Sequence, residues 1–291
     1  MKKILITGAN SYIGISFEEY MKAYGDDFTV DTLDVIGDAW KQADISGYDV
    51  VFHVAGIAHV NADPKLEALY YKVNRDLTIE IARHAQEAGV KQFIFMSSQI
   101  VFHESQSLKT EVLTAETAPN PNGFYGDSKL QAENGLKALR AEGGQMKMCI
   151  LRPCMIYGPN AKGNFPRLAK LGRKVPVFPA WHNKRSMLFI DNLAEFVLQA
   201  IVRELEGTFY PQNRELADTV EIVRFFAKAA GHRVWITRLL NPFVWLGSFV
   251  LQPINKMFAT YHYDPAMSQM DFDYQLVSFE ESLKRVSESL K

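Results

Sequence analysis

Cysteine is nearly absent. Cys149 and Cys154 are the only two in 291 residues, and both fall in one apolar stretch. That excludes a disulfide framework and a cysteine-based zinc site, and reads as buried, reduced thiols in a cytosolic chain. An excess of either charge is missing too. The 32 Lys and Arg against 33 Asp and Glu leave a formal net charge of -1, which excludes the basic face that a nucleic-acid partner requires. No clean apolar run is long enough to span a membrane. The longest apolar stretch, Leu239 to Phe258, is interrupted by Asn241, Pro242, Gln252 and Pro253. The N-terminus carries two lysines and only three apolar residues before Thr7 and Gly8, too few for a signal peptide. Internal repeats and low-complexity tracts are absent. His53 and His59 have no partners at metal-ligand spacing, so no metal is expected, and His53 reads as a satisfied core histidine. What remains is an ordinary globular composition, 47% apolar and 22% charged. The length suits one large α/β unit, or a nucleotide domain with a small lobe.

The chain opens on an apolar run, Ile4-Leu5-Ile6, that lacks alternation and so fits a strand buried on both faces of a parallel sheet. Gly8 breaks the run, and Gly14 opens a segment with helical spacing at Tyr12, Ile13, Phe17, Tyr20 and Met21. Strand, glycine turn and helix form the context in which backbone N–H groups and a helix N-terminus face a pyrophosphate. The turn reads Gly8-Ala9-Asn10-Ser11-Tyr12-Ile13-Gly14, with Ser11 where a middle glycine is usual. By itself it also suits an ordinary strand-to-helix turn. A second strand, Phe28 to Leu33, runs into Asp34, about twenty residues beyond Gly14, the spacing at which a carboxylate accepts from an adenosine ribose. A negative charge there repels a 2′-phosphate and favours NAD over NADP. Asp31 competes for the role, and a strand-end acid facing water accounts for either residue.

Asp44 and Ile45 precede another buried strand, Tyr48 to Val54, which ends in Ala55 and Gly56 and so admits a ligand close to the backbone. A helix is expected over Lys65 to Ala88, closed by Gly89. Val90 to Met96 is a further strand, running into Ser97 and Ser98. Residues at that end of a parallel strand line a ligand crevice, or simply bond the backbone. Tyr125 and Lys129 lie four apart and share a helix face. An ammonium beside a phenol favours the phenolate and pulls its pKa down from about 10. That makes a general acid or base for a sugar or alcohol hydroxyl; a solvated pair is the plain alternative. Met146 to Pro153 is the next strand, and Lys162 to Leu171 a helix. Val175 to Pro179 is extended, and Lys184 to Asn192 is a strand entering a helix capped by Asp191 or Asn192. Arg185 suits a diphosphate, or a surface ion pair. In the 239–258 stretch, Asn241-Pro242 is an N-cap and N1 pair. A buried helix of a small lobe is the first reading of that stretch. Contact with a partner or a membrane is the lesser one.

Taken in order, these motifs resemble the extended short-chain dehydrogenase/reductase family, the NAD-dependent epimerase/dehydratases of nucleotide sugars. The resemblance rests on Thr7-Gly8-Ala9-Asn10-Ser11-Tyr12-Ile13-Gly14, on Val54-Ala55-Gly56, and on Ser97-Ser98 with Val101-Phe102. It continues through Tyr125 and Lys129, Arg152-Pro153 with Tyr157-Gly158-Pro159, and Arg185 before Ile190-Asp191. The implied fold is α/β: a Rossmann-type doubly wound parallel sheet with a smaller mixed C-terminal substrate lobe. The nucleotide-binding part is expected at 1–158 and 189–218, and the lobe at 159–188 and 219–291. The resemblance implies a catalytic set of Ser98, Tyr125 and Lys129. It places NAD on Gly8, Asn10, Ser11, Tyr12, Ile13, Gly14, Asp34, Asp44, Ile45, Ala55, Gly56, Tyr125, Lys129 and Pro153. It places the nucleotide sugar on Ser98, Tyr125, Asn164, Phe178 and Arg185.

Two departures are informative. Dehydratases of this family hold an Asp-Glu pair directly after the serine or threonine, whereas this chain has Gln99 and Ile100. Neither transfers a proton, so 4,6-dehydration and 3,5-epimerisation are not expected. Met155 stands where many members carry an asparagine that touches substrate. The pattern looks most like the bacterial surface-polysaccharide branch. The expected activity is therefore 4-epimerisation of a UDP-hexose or UDP-N-acetylhexosamine through a transient 4-keto sugar. Reduction of a UDP-4-keto-6-deoxy sugar uses the same residues and is the alternative; a nucleotide-binding protein without turnover is a third reading. A cytoplasmic homodimer is what the family implies.

Overall fold

The computed structural model describes residues 1–58, 63–105 and 107–290. His59 lies outside them. The chain divides into two compact units. The first comprises Met1–His103, Ala118–Pro153 and Leu193–Pro211. The second comprises Glu104–Thr117, Cys154–Asn192 and the chain from Gln212 onward. This division departs from the boundaries expected above. Residues 104–117 belong to the second unit because Glu111–Leu113 pairs with Tyr261–Tyr263, a long-range partner that no local pattern announces.

The first unit is built on a six-stranded sheet, parallel throughout. Its order is Gly207–Phe209, Lys147–Leu151, Gln92–Met96, Val50–His53, Lys2–Thr7 and Phe28–Leu33. Every residue of Val50–His53 and Gln92–Met96 is buried, which is why those runs are apolar without alternation. Helices Leu77–Glu87 and Phe124–Ala141 present Ala82, Ala85, Ala132 and Leu136 to Val51, Phe93, Phe95 and Ile150 in one core. The strand order reverses between Lys2–Thr7 and Val50–His53, and the carboxyl ends flanking such a reversal form the ligand crevice of an open α/β sheet. There the Thr7 carbonyl accepts from both Val54 N and Ala55 N, at 3.0 and 2.9 Å. Gly8, at φ +121°, closes the approach: a Cβ on it would lie 2.7 Å from Ala55 N.

His53 is wholly buried, with Thr7 Oγ1 at 2.7 Å and Thr78 Oγ1 at 3.0 Å from its ring nitrogens. Burial first, and the Lys129 charge second, push its pKa down to about 3, so it is the neutral core residue expected. Cys149 and Cys154 are buried free thiols whose pKa burial raises. No group of residues suited to a metal occurs among the described residues.

The second unit carries three short parallel strand pairs, Met155–Tyr157 with Met187–Phe189, Val177–Pro179 with Trp235–Thr237, and Glu111–Leu113 with Tyr261–Tyr263. Phe178, Val220, Val223, Val244 and Phe258 form a core there.

Several local expectations are corrected. The segment expected as one helix from Lys65 to Ala88 is a 3-10 turn at Pro64–Leu66, an α turn at Glu67–Tyr70, a π segment at Tyr71–Asp76 and an α-helix at Leu77–Glu87. The helix Ile190–Val202 starts before Asp191 and Asn192, so neither is its cap. The Asn192 amide instead donates to Asn213 Oδ1 and the Val277 carbonyl, both at 3.0 Å. Asn241 is not an N-cap either. It lies one residue inside the helix Asn241–Ser248 and donates to the Ala180 carbonyl at 3.1 Å. The buried helix expected in the 239–258 stretch, with a stop or kink at Pro253, is two short helices, Asn241–Ser248 and Gln252–Phe258, with Pro253 in the first turn of the second; most of the large apolar side chains of the first are exposed.

Candidate active site

The glycine turn comes first. Asn10 adopts φ 63°, a left-handed geometry that asparagine tolerates better than most residues. Ser11 sits at φ -68° and ψ 134°, so this position needs no glycine. Its Oγ accepts from Gly14 N at 3.2 Å and caps the helix Tyr12–Met21. The serine that interrupts the glycine pattern is thus a helix cap. Tyr12 and Ile13 are half-buried in the first turn of that helix. At the end of Phe28–Leu33, exposed Asp34 accepts from Ile36 N at 2.9 Å, and no cation pairs with it among the described residues. Asp31 already accepts from the Tyr48 hydroxyl at 3.0 Å, halfway along the strand. The geometry therefore favours Asp34 of the two. Asp44 accepts from both the N–H and the hydroxyl of Ser46, which lower its pKa. Ile45 packs in the core.

Ser98 follows the strand Gln92–Met96 and caps a short 3-10 turn, its Oγ accepting from Ile100 N at 3.3 Å. Accepting that bond leaves the hydroxyl proton available to donate. Gln99 N donates to the Pro153 carbonyl at 2.9 Å, joining this turn to the end of the neighbouring strand. Tyr125 and Lys129 both lie on the helix Phe124–Ala141, and the Tyr125 ring meets Tyr70 edge-on at 5.8 Å. Gly126 lets the start of this helix abut the turn that Ser98 caps: a Cβ on Gly126 would lie 2.5 Å from the Ile100 carbonyl oxygen. The structure thereby brings the phenol-bearing turn and the serine turn together.

Lys129 is 5% exposed. Its Nζ donates to the Met96 carbonyl at 2.9 Å and lies 4.7 Å from the centre of the Phe95 ring. Burial lowers its pKa from 10.5 to about 8, against an upward pull from Glu133. The amine also faces Gly56, on which a Cβ would come within 3.1 Å of Nζ. The amine therefore joins two strand ends that are separate in sequence, on the helix whose first turn abuts the serine turn.

Two supporting residues, Asn74 and Glu133, escaped sequence reasoning. Asn74, wholly buried in the π segment, accepts from Ile57 N at 2.8 Å and donates to the Ile57 carbonyl and Ser128 Oγ. It fastens the 55–57 turn to the helix that carries Tyr125 and Lys129. Glu133 takes a bidentate contact from Arg152, with distances between 2.6 and 3.2 Å, and accepts from the Ser97 hydroxyl at 2.6 Å. Arg152 is also flanked by the rings of Phe102 and Tyr210. The signal for Glu133 was its place four residues after Lys129 on a helix face; nothing local marked Asn74. The Gln99 Nε2 is buried with no hydrogen-bond partner among the described residues.

In the second unit, Asn164 begins the helix Asn164–Gly172 and is exposed. Phe178 is 4% exposed and packs on Phe258 at 5.6 Å. Arg185 bridges Ala217 and Tyr261 through its backbone, and its Nε is buried without a partner among the described residues. Burial lowers its pKa. No carboxylate pairs with it there, which excludes the surface ion pair.

A parallel sheet with a capped glycine turn at its point of reversal, an exposed carboxylate at the next strand end and a lysine amine against a glycine backbone define a dinucleotide-binding unit. The NAD dependent epimerase/dehydratase family matches residues 4–210, and the chain belongs to that family. It is an enzyme family, and NAD is the cofactor. The residues present fit it: Gly8 and Gly56 have no side chain where the strand ends pack closely, and no cation among the described residues pairs with exposed Asp34. Over 256 residues the chain is 31% identical to a UDP-glucose 4-epimerase of Vibrio cholerae, covering 80% of this chain and 77% of that protein. An N-acetyl-alpha-D-glucosaminyl-diphospho-ditrans,octacis-undecaprenol 4-epimerase of Escherichia coli O157:H7 is 29% identical over 212 residues, 67% of this chain and 61% of that protein. Among solved structures, the UDP-glucuronic acid 4-epimerase of Bacillus cereus in complex with NAD superposes with a TM-score of 0.74 at 19% identity. The match covers 99% of this chain and 98% of the other, and shows a shared fold.

Proposed function

We propose that this protein is a nucleotide-sugar 4-epimerase acting on a UDP-hexose or UDP-N-acetylhexosamine. The observation that supports the reading is the Lys129 amine held between the Met96 carbonyl and the Gly56 backbone, at the ends of neighbouring strands beside the sheet's point of reversal. The relatives supply the chemical class. Bound NAD supplies a reversible acceptor for the C4 hydride. Tyr125 removes the proton of the C4 hydroxyl and later returns one to the same oxygen. Ser98 donates a hydrogen bond to O4. Lys129 holds the nicotinamide ribose and keeps positive charge beside the phenol. Asp34 takes the adenosine ribose, and the Gly8–Gly14 turn the pyrophosphate. In this reading the first unit binds NAD and the second binds the sugar nucleotide, with Arg185 on the diphosphate and Asn164 beside it. Gln99 and Ile100 provide no acid at the positions a dehydratase needs.

The reading carries a place in surface-polysaccharide synthesis, a cytoplasmic setting and a homodimer, which cell fractionation and sedimentation of the purified protein check. The deciding experiment mixes the protein with UDP-glucose, UDP-galactose or their N-acetyl forms and no added reductant. Interconversion of C4 isomers supports the proposal. Turnover only with stoichiometric NADH and a 4-keto sugar makes the protein a reductase, and NAD binding without either reaction makes it a binder.

A further inference from the structure

We infer that residues 235–251 of the second unit form a docking surface for an anionic lipid bilayer. The inference does not depend on which sugar the enzyme turns over. More than half of the large apolar side chains exposed among the described residues fall between Trp235 and Leu251. Leu239, Phe243, Leu246 and Val250 recur at helical spacing and are 72%, 68%, 56% and 81% exposed. Trp245 and Phe249 sit beside them, ring edge to ring face at 5.0 Å. Single exposed apolar side chains are normal; a contiguous face of this size marks an interaction site.

The opposite side of the same helix is anchored. Val244 is 6% exposed and packs in the core of the second unit. Asn241 donates to the Ala180 carbonyl, and Asn255 donates to the Ser248 carbonyl at 2.8 Å, holding the two short helices together. The outward apolar face is therefore held in place by the fold.

Charge identifies the occupant. No Asp or Glu occurs between Glu221 and Asp264, although acids slightly outnumber bases in the whole chain. Lys228, Arg233 and Arg238 within that interval are exposed, and none pairs with a carboxylate among the described residues. A segment with tryptophan, phenylalanine and unpaired cations but no acid of its own has the composition of an element that lies in the lipid headgroup layer. Each cation near such a surface adds to the attraction. No helix of the described residues is long and apolar enough to cross a membrane, so the element lies on the bilayer. A second copy of the chain is a poorer occupant, because a two-fold contact here would bring Arg233 and Arg238 of both copies into one interface with no acid of this segment to offset them.

The test sediments the whole protein with vesicles of phosphatidylcholine alone, and with vesicles that are roughly one-third phosphatidylglycerol. Partitioning about tenfold stronger or more onto the anionic vesicles is expected, weakening as salt is raised. The double variant F243E/F249E should reduce binding by about tenfold or more, and R233E/R238E should remove the preference for anionic lipid. These side chains are exposed, so unchanged thermal unfolding of both variants keeps the comparison interpretable. Absence of binding to either vesicle overturns the inference, as does binding that neither variant weakens. A dimer that F243E/F249E dissociates, without vesicle binding, also overturns it and gives the face to a second copy.

Discussion

Replacing Lys129 with methionine removes the buried amine and keeps most of its stem. In the folded protein burial holds the amine's pKa near about 8, down from 10.5. At roughly 1.4 kcal/mol per pKa unit, the charged amine costs the folded state about 3 kcal/mol below pH 8. Between those two values the unfolded chain keeps a proton that the folded chain has released, so the parent protein gains stability as pH rises across the window, and levels off on either side. The variant also loses the charged hydrogen bond to the Met96 carbonyl, worth about 1.5–3 kcal/mol. The two effects oppose each other and are similar in size, so at pH 7 the variant should lie within about 2 kcal/mol of its parent. The pH dependence separates them. Urea unfolding followed by tryptophan fluorescence, at steps from pH 7 to pH 10.5, should show the parent gaining about 3 kcal/mol on K129M. Matching m-values would show that both unfold over the same surface. A stability difference that stays flat across this range would refute the buried-amine account. The same variant should lose turnover, because a thioether neither carries charge nor donates.

Tyr125→Phe should lower turnover by about 10²–10⁴-fold while NAD affinity changes little; near-parental turnover would remove Tyr125 from its assigned role. Asp34→Ala should weaken NAD binding by about tenfold or more, as titration calorimetry would read, and an effect seen instead for Asp31→Ala would move the ribose contact. Glu133→Gln leaves the Arg152 guanidinium buried without its countercharge and should cost about 3–5 kcal/mol in urea unfolding, and a loss under 1 kcal/mol would show that the pair is dispensable. Asn74→Ala should cost about 1–3 kcal/mol and speed amide exchange at Ile57, whose N–H it would leave without an acceptor.

The amino-acid sequence by itself determined five of the six strands of the first unit's sheet and their kind. A strand buried on both faces must be apolar at every position, and Ile4-Leu5-Ile6, Val50-Val51-Phe52 and Phe93-Ile94-Phe95 say so locally. The glycine turn, the serines at a strand end and the Tyr125–Lys129 spacing are equally local, which is why they could be named without coordinates. Ser11 looked like a defect only because a capping bond to Gly14 N cannot be read from a glycine template. The tertiary structure alone decided the strand order and its point of reversal, since parallel pairing joins segments far apart in the chain. It tied Asp31 to the Tyr48 hydroxyl, seventeen residues away. It gave 104–117 to the second unit and recruited Asn74 to a turn on another strand. It also turned the 239–251 apolar run outward. Apolar residues mark a surface that avoids water, but whether the chain itself or another body covers that surface depends on the distant segments that pack against it, and here they cover one side only.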